Sequence, residues 1–447
     1  MGFSAILLGS LATSGSASAQ ESHAPLSSPF NTATTKPAPE ALAPITSPFN
    51  VAGTTPVAPS TAPPIASHLD VVSASDYLGP VDLDAPAAVN AYDAPPRQFW
   101  FQADYLMWWI QGAYLPPLLT ASPPGTPRSQ AGILGAPGTT VLIGGERQDC
   151  DFRQGYRMRL GGWCDECQQK GFEIGFFALC RSGDSVGSSS DGSQVVSRPF
   201  FDPSGVPNAE LVSFQGVLAG GGVVNTDQTC IFGFDAMCRE SLCRTCDSYL
   251  DLLAGYRYLR FNEQVSIGEN LLVTDPTFPP GTTFAIEDRF RTRNYFNGGV
   301  LGLAGGTISG RCTFDFRGQL AFGKVCREVG INGSTTVDSF NSNPITYPGG
   351  LLTQSSNIGT YRSSDWTVIP ELEINAGYRV TDRFKVRLGY SFLYLTKFAR
   401  AGDQIDTTVN SNLIPPTISG GPARPAFQER TTDFWIQGFN LGAEWVF

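Results

Sequence analysis

The last fifteen residues, Asp433–Phe447, alternate in character with a period of two. Trp435, Phe439, Leu441, Ala443, Trp445 and Phe447 fall on one side, and Gly438, Asn440, Gly442 and Glu444 on the other. A β-strand sends successive side chains to opposite faces, so this segment predicts a strand with one apolar face and one small, polar face. The same alternation recurs upstream. Phe101, Ala103, Tyr105, Met107 and Trp109 share a face, and Phe314, Phe316, Leu320 and Phe322 oppose Asp315, Arg317, Gln319 and Gly323. Leu372, Ile374, Ala376 and Tyr378 oppose Glu371, Glu373, Asn375 and Arg379, and Phe384, Val386, Leu388 and Tyr390 oppose Lys385, Arg387, Gly389 and Ser391. Ten strands are predicted in all: Phe99–Ile110, Asp151–Leu160, Gly171–Arg181, Thr229–Arg239, Asp247–Phe261, Arg289–Ala304, Arg311–Cys326, Asp365–Val380, Arg383–Lys397 and Asp433–Phe447. Pro370 lies inside the eighth and predicts a bulge or a later strand start, because proline cannot donate to a ladder.

The connections alternate in length. Residues 161–170, 240–246, 305–310 and 381–382 are short; 111–150, 182–228, 262–288, 327–364 and 398–432 are long and rich in Gly, Pro, Ser and Asn. Short turns at one end and long loops at the other predict an all-β fold, a closed antiparallel transmembrane β-barrel with short periplasmic turns and long extracellular loops. An even count lets the first and last strands pair and leaves no free edge. Twelve strands result if Ala209–Val217 joins the sheet. A soluble β-sandwich also alternates. Two features favour the barrel: aromatic residues near strand ends on the apolar face (Trp109, Tyr256, Tyr258, Tyr390, Tyr394, Trp435, Trp445) and charges on the other face. The charged, lumen-facing set is Asp104, Arg153, Arg157, Arg159, Glu173, Asp235, Asp251, Arg257, Asp315, Arg317, Glu371, Glu373, Arg379 and Glu444. Phe439, Leu441, Trp445 and Phe447 resemble the terminal signal that outer-membrane assembly machinery reads. The expected location is therefore the bacterial outer membrane, with its lipid and that machinery as partners.

Composition sharpens this picture. The chain has 447 residues, 49 Gly, 33 Pro and 16% charged residues, which favours strands and turns over helices. A net charge of −10 leaves no basic footprint for nucleic acid. Residues 1–19 carry a short apolar run (Phe3–Leu8) and a small-x-small pattern ending at Ala19, as a signal peptide does. It lacks a basic start, which points to a true start upstream, and its apolar run is short, so a disordered N-terminus is the competing reading. Residues 20–96 are rich in Pro, Ala, Ser and Thr, and Pro25–Asn31 is echoed by Pro44–Asn50. Such a segment cannot bury a core and predicts a disordered linker, either a plain spacer or a tether to the cell wall or another envelope partner. The barrel is then 97–447. The two histidines, His23 and His68, both lie in the linker. No loop histidine can act as a general base, so no enzyme is expected, and no cofactor.

Several segments resemble one known family. They are Phe99–Trp109, Leu115–Leu118, Gly138–Leu142, Arg198–Asp202, Leu252–Leu259, Ser356–Gly359 and Gly402–Asp406. In this order they resemble the beta-barrel porin family seven, a bacterial outer-membrane group. The resemblance spans roughly 99–447 and implies an outer-membrane barrel; it supplies no catalytic or ligand-binding residue.

Ten cysteines in an exported chain favour disulfides. Cys164/Cys167 and Cys243/Cys246 have Cys-x-x-Cys spacing in short turns, which also fits zinc. Hairpin arithmetic centred between Cys164 and Cys167 brings Cys150 near Cys180 as a further bridge, with Cys230 as a competitor. Two functions follow. One is a narrow pore passing small solutes through a charged lumen; the alternative is a non-conducting structural or surface-binding protein. Barrels of about eight strands are filled by side chains and open channels appear near about sixteen, so ten strands lean toward a filled interior.

Overall fold

The computed structural model describes residues 98–447, apart from 148–150, 229–230, 341 and 417. The predicted signal segment 1–19, the linker 20–96 and Cys150 lie outside the described residues. The strands are β1 (Phe99–Ile110), β2 (Leu119–Ser122), β3 (Thr140–Ile143), β4 (Asp151–Trp163), β5 (Lys170–Leu179), β6 (Ser182–Ser190), β7 (Val195–Phe201), β8 (Pro207–Ser213) and β9 (Leu218–Gln228). They continue as β10 (Ile231–Arg244), β11 (Ser248–Val273), β12 (Thr283–Ser309), β13 (Cys312–Asp338), β14 (Ile345–Pro348), β15 (Gly359–Arg379), β16 (Phe384–Phe398) and β17 (Thr432–Val446).

Ten strands pair antiparallel in a ring: β1, β4, β5, β10, β11, β12, β13, β15, β16 and β17, with β17 paired back onto β1 from Trp100↔Val446 to Ile110↔Ile436. Each predicted segment corresponds to one of these strands, and Phe99–Ile110 is β1 residue for residue. Pro370 lies within a continuous β15. Its pairing with Leu320 of β13 is unbroken, while the ladder to β16 ends beside it at Glu371↔Leu393. Beyond that point Thr367 Oγ1 donates to the Thr396 carbonyl (2.8 Å) and Thr396 Oγ1 to that of Val368 (2.6 Å).

Lengths differ from expectation. β11, β12 and β13 run 26, 27 and 27 residues. At about 3.3 Å per residue each reaches roughly 90 Å, several times an apolar band of about 25 Å, so they project well beyond the ring's span. Most of the expected loop 262–288 and much of 327–364 is therefore strand. The alternation continues there through Val265, Ile267 and Leu271, Phe284, Ile286 and Phe290, and Val329, Ile331 and Val337, all buried. On this projection β9 pairs with β11, β6 with β9, and β14 with β13.

The twelve-strand alternative is overturned. Ala209–Ser213 belongs to β8, which lies in a separate four-stranded sheet of order β3-β2-β7-β8. Every residue from Asn208 to Ser213 is buried, so β8 has no face to offer lipid. Gly132 lets the neighbouring loop close on this sheet. Its φ is +72°, and a Cβ there would stand 2.1 Å from Ser197 Cβ. Two apolar clusters result, one within the ring and one between its projection and the small sheet.

Candidate functional site: the filled interior of the ring

Inward positions near the short turns are charged and paired. Arg157 on β4 bonds Asp104 on β1 (Nε–Oδ2 3.0 Å) and Glu373 on β15 (Nη2–Oε1 2.9 Å). Glu373 also holds Arg159 (2.6 Å) and Arg387 (3.1 Å), so one carboxylate serves three guanidiniums. Glu173 holds Arg317 at 2.6 Å, with Arg239 and Arg159 at 3.8 and 3.9 Å. Arg257 joins Asp235 (2.7 Å) and Glu371 (2.5 Å), and Asp251 joins Arg239 (3.2 Å) and Arg244 (3.1 Å). Lys385 bridges Asp315 (3.1 Å) and Glu444 (3.2 Å). Arg153 is buried higher on β4 and donates to the Cys180 carbonyl (3.4 Å), and Arg379 lies half-buried near the short turns. Gly442 makes room for this network: a Cβ there would lie 2.0 Å from Asp104 Oδ1. Arg239 escaped the sequence reading although it shares the parity of Asp235.

Farther from the short turns the inward positions turn apolar. Leu106, Trp108 and Ile110, Leu259 and Phe261, Leu393 and Leu395, and Phe434 and Ile436 are each at most 1% exposed. Nine of the ten ring strands contribute to this cluster. Phe261 packs on Phe434 (ring centroids 5.0 Å) and on Phe398 (6.3 Å), and Arg400 lies over Phe434 at 4.4 Å. Trp108 satisfies its indole on Asn440 Oδ1 (2.7 Å). The expectation of a charged lumen therefore holds for only part of the interior. The sequence is apolar on both faces here, as in Leu106–Ile110, Phe392–Leu395 and Phe434–Ile436, because one face meets the core and the other faces outward.

A second buried charge cluster joins the small sheet to the projection. Arg198 on β7 bonds Glu269 on β11 (2.8 Å) and Asp288 on β12 (2.6 Å). Asp288 is further satisfied by Leu352 N (3.1 Å), Thr353 N (2.9 Å) and Thr353 Oγ1 (2.6 Å). Glu210 on β8 is fully buried, and neither of its oxygens meets a hydrogen-bond donor. Three carboxyls thus face one guanidinium out of water. Burial, reinforced by the Glu269 charge, pushes the Glu210 carboxyl well above the usual glutamate range. A proton on Glu210 would be donated to Glu269.

The family-like loop segments converge at this end. Leu115, Leu118, Arg198, Phe200, Asn357 and Gln404 are all at most 3% exposed.

The disulfide expectation is corrected. Cys164, Cys167, Cys180, Cys243 and Cys246 are free thiols, as are Cys238, Cys312 and Cys326. The β4–β5 hairpin pairs Gly155 with Leu179, and Cys180 N donates to Gln154 O (2.8 Å). The hairpin is centred past the midpoint of Cys164 and Cys167, so Cys180 stands across from Gln154 and not residue 150. No cluster of three or more His, Cys, Asp or Glu suited to a metal occurs among the described residues.

Outside the ring the surface is apolar. Leu301, Leu320, Phe322, Leu372 and Leu388 are 51–60% exposed. Phe439, Leu441, Trp445 and Phe447 are also exposed, and the Phe447 backbone bonds that of Phe99 in both directions (3.0 and 3.1 Å). Contiguous exposed apolar surface of this kind marks a membrane or partner interface.

A ring of strands with an apolar outside and a charged, packed inside has the design of outer-membrane barrels. Residues 100–447 match the family described as beta barrel porin-7 (BBP7), and the chain belongs to that family. Its fold is also similar to solved structures. One is the outer membrane protease OmpT of Escherichia coli, at 13% identity and TM-score 0.36, covering 79% of this chain and 97% of that one. Another is a deletion mutant of the monoaromatic hydrocarbon channel TodX, at 9% identity and TM-score 0.21, covering 78% and 90%. A Pseudomonas aeruginosa FadL homologue gives 8% identity and TM-score 0.21, covering 79% and 93%. No curated protein matches the chain.

Proposed function

We propose that this chain is a closed transmembrane barrel of the bacterial outer membrane with a sealed interior. It acts as a non-enzymatic, non-conducting structural or surface-binding protein of the envelope. One observation carries the reading: the apolar tier spans the ring interior with side chains at most 7% exposed, contributed by nine of ten strands. Water and ions have no polar route through such a layer. Outer-membrane lipid contacts the exposed apolar band, the assembly machinery reads Phe439 to Phe447, and the long-loop end faces outward. A cell-wall or envelope partner is assigned to the N-terminal segment on its composition alone.

A narrow passive pore is the second reading, favoured by the polar cavity at the short-turn end. Liposome swelling with small sugars and amino acids separates the two. The purified, heat-modifiable full chain is expected to give no swelling above empty liposomes; swelling at a general porin's rate would overturn the sealed reading.

A further inference from the structure

The cavity at the short-turn end is not explained by a sealed structural barrel. It measures about 390 Å³ and is bordered by the turn residues Gln168, Thr381 and Asp382. Eight Arg or Lys side chains line it against six Asp or Glu. The deep carboxylates are already shared. Glu173 serves three arginines, and Asp251 serves both Arg239 and Arg244. At the mouth, Arg379 and Arg383 pair with no carboxylate among the described residues.

Two further observations point to a missing ligand. Thr313 Oγ1 lies buried in the wall without a hydrogen-bond partner, and as a hydroxyl it can donate to an anion. Buried polar atoms are normally satisfied, so this hydroxyl has a donor to offer an occupant. In addition, Arg244 lies over Trp163 at 4.7 Å and Arg239 over Trp100 at 5.2 Å. Stacking fixes the plane of a guanidinium, and Asp251 engages only Nη2 of Arg244, so the other donors of Arg244 can meet an oxyanion.

We propose that this cavity binds an oxyanion bearing at least two negative charges, with Arg379 and Arg383 gripping it at the mouth and Arg244 on the wall. Guanidinium forks match phosphoryl and carboxylate oxygens, and a doubly charged group offsets the unpaired mouth cations. The binding does not depend on whether the barrel conducts. A phosphoryl group can come from a soluble phosphate compound or from a lipid headgroup next to the turns.

Calorimetric titration of the full chain in zwitterionic nanodiscs, with pyrophosphate as probe, tests the site. The expected result is saturable one-to-one binding that weakens as salt rises. Arg379→Gln with Arg383→Gln should weaken it about tenfold or more while the heat-modifiable band is unchanged. Arg383→Gln alone, at an exposed turn, should move affinity the same way by a smaller factor. Nanodiscs containing phosphatidylglycerol identify the source: loss of pyrophosphate binding assigns the site to lipid headgroups, and unchanged binding assigns it to a soluble oxyanion. No pyrophosphate heat at any salt, or equal affinity in the double variant, would overturn the proposal.

Discussion

The molecule buries two charge clusters with opposite imbalance. Near the short turns, Glu373 is shared by Arg157, Arg159 and Arg387. Beneath the small sheet, Arg198 is shared by Glu269 and Asp288, with Glu210 beside them. The contrast lies in what each can do when charge is unmatched. A guanidinium stays protonated at any accessible pH, so the first cluster must be balanced by carboxylates in fixed geometry. A carboxyl can take up a proton, so the second tolerates surplus acids and becomes sensitive to pH. One cluster is a fixed strut across the ring; the other ties the small sheet to the strand projection with a surplus buried carboxyl beside the tie.

The largest effect should come from breaking the strut. Glu373→Leu leaves three buried guanidiniums short of a partner and should cost about 3–5 kcal/mol, read as a fall in the urea midpoint that is the same at pH 5 and pH 8. A midpoint shift that varies with pH would remove the contrast between the clusters.

Next is the outer face. Leu388 is 56% exposed and its neighbour Arg387 is buried. Leu388→Arg should cost about 2–4 kcal/mol if the position lies near the bilayer midplane, seen as loss of the folded band after assembly. Normal assembly of that variant would reverse the assignment of inside and outside.

A smaller effect is expected at Glu210. Because its folded pKa lies above the ordinary 4.5, folding takes up a proton. The stabilisation is complete below that value and is lost as pH rises through the raised one. Glu210→Gln mimics the protonated form and should make β7 and β8 about 1–3 kcal/mol more protected from hydrogen exchange at pH 8, with little change at pH 4. Equal protection in both proteins at every pH would show that Glu210 holds no proton.

Much of this was legible in the chain because a half-buried strand writes itself with period two. All ten ring strands were found that way, and most of the charges on the opposite face are buried. What stayed hidden lacks that period. Leu119–Ser122 and Val195–Phe200 are buried on both faces, and Ser182–Ser190 is Gly/Ser-rich, so these strands of the long-loop end read as loop. The apolar tier was masked for the same reason, since Leu106–Ile110 and Phe434–Ile436 are apolar on both sides. Glu210 carried one faint signal, an acid set between Ala209 and the apolar Leu211 and Val212. The partner expected for Cys180 failed on register, which a short turn of unknown centre does not specify: Cys180 stands across from Gln154.

The proposed seal is open to direct test. Planar-bilayer recording of the full chain beside the Phe261→Ala/Phe434→Ala double variant tests it most directly. The wild type should be silent, and the variant, with its apolar tier thinned but its charged strut intact, should show discrete current steps. Steps of equal size and frequency in the wild type would contradict the seal.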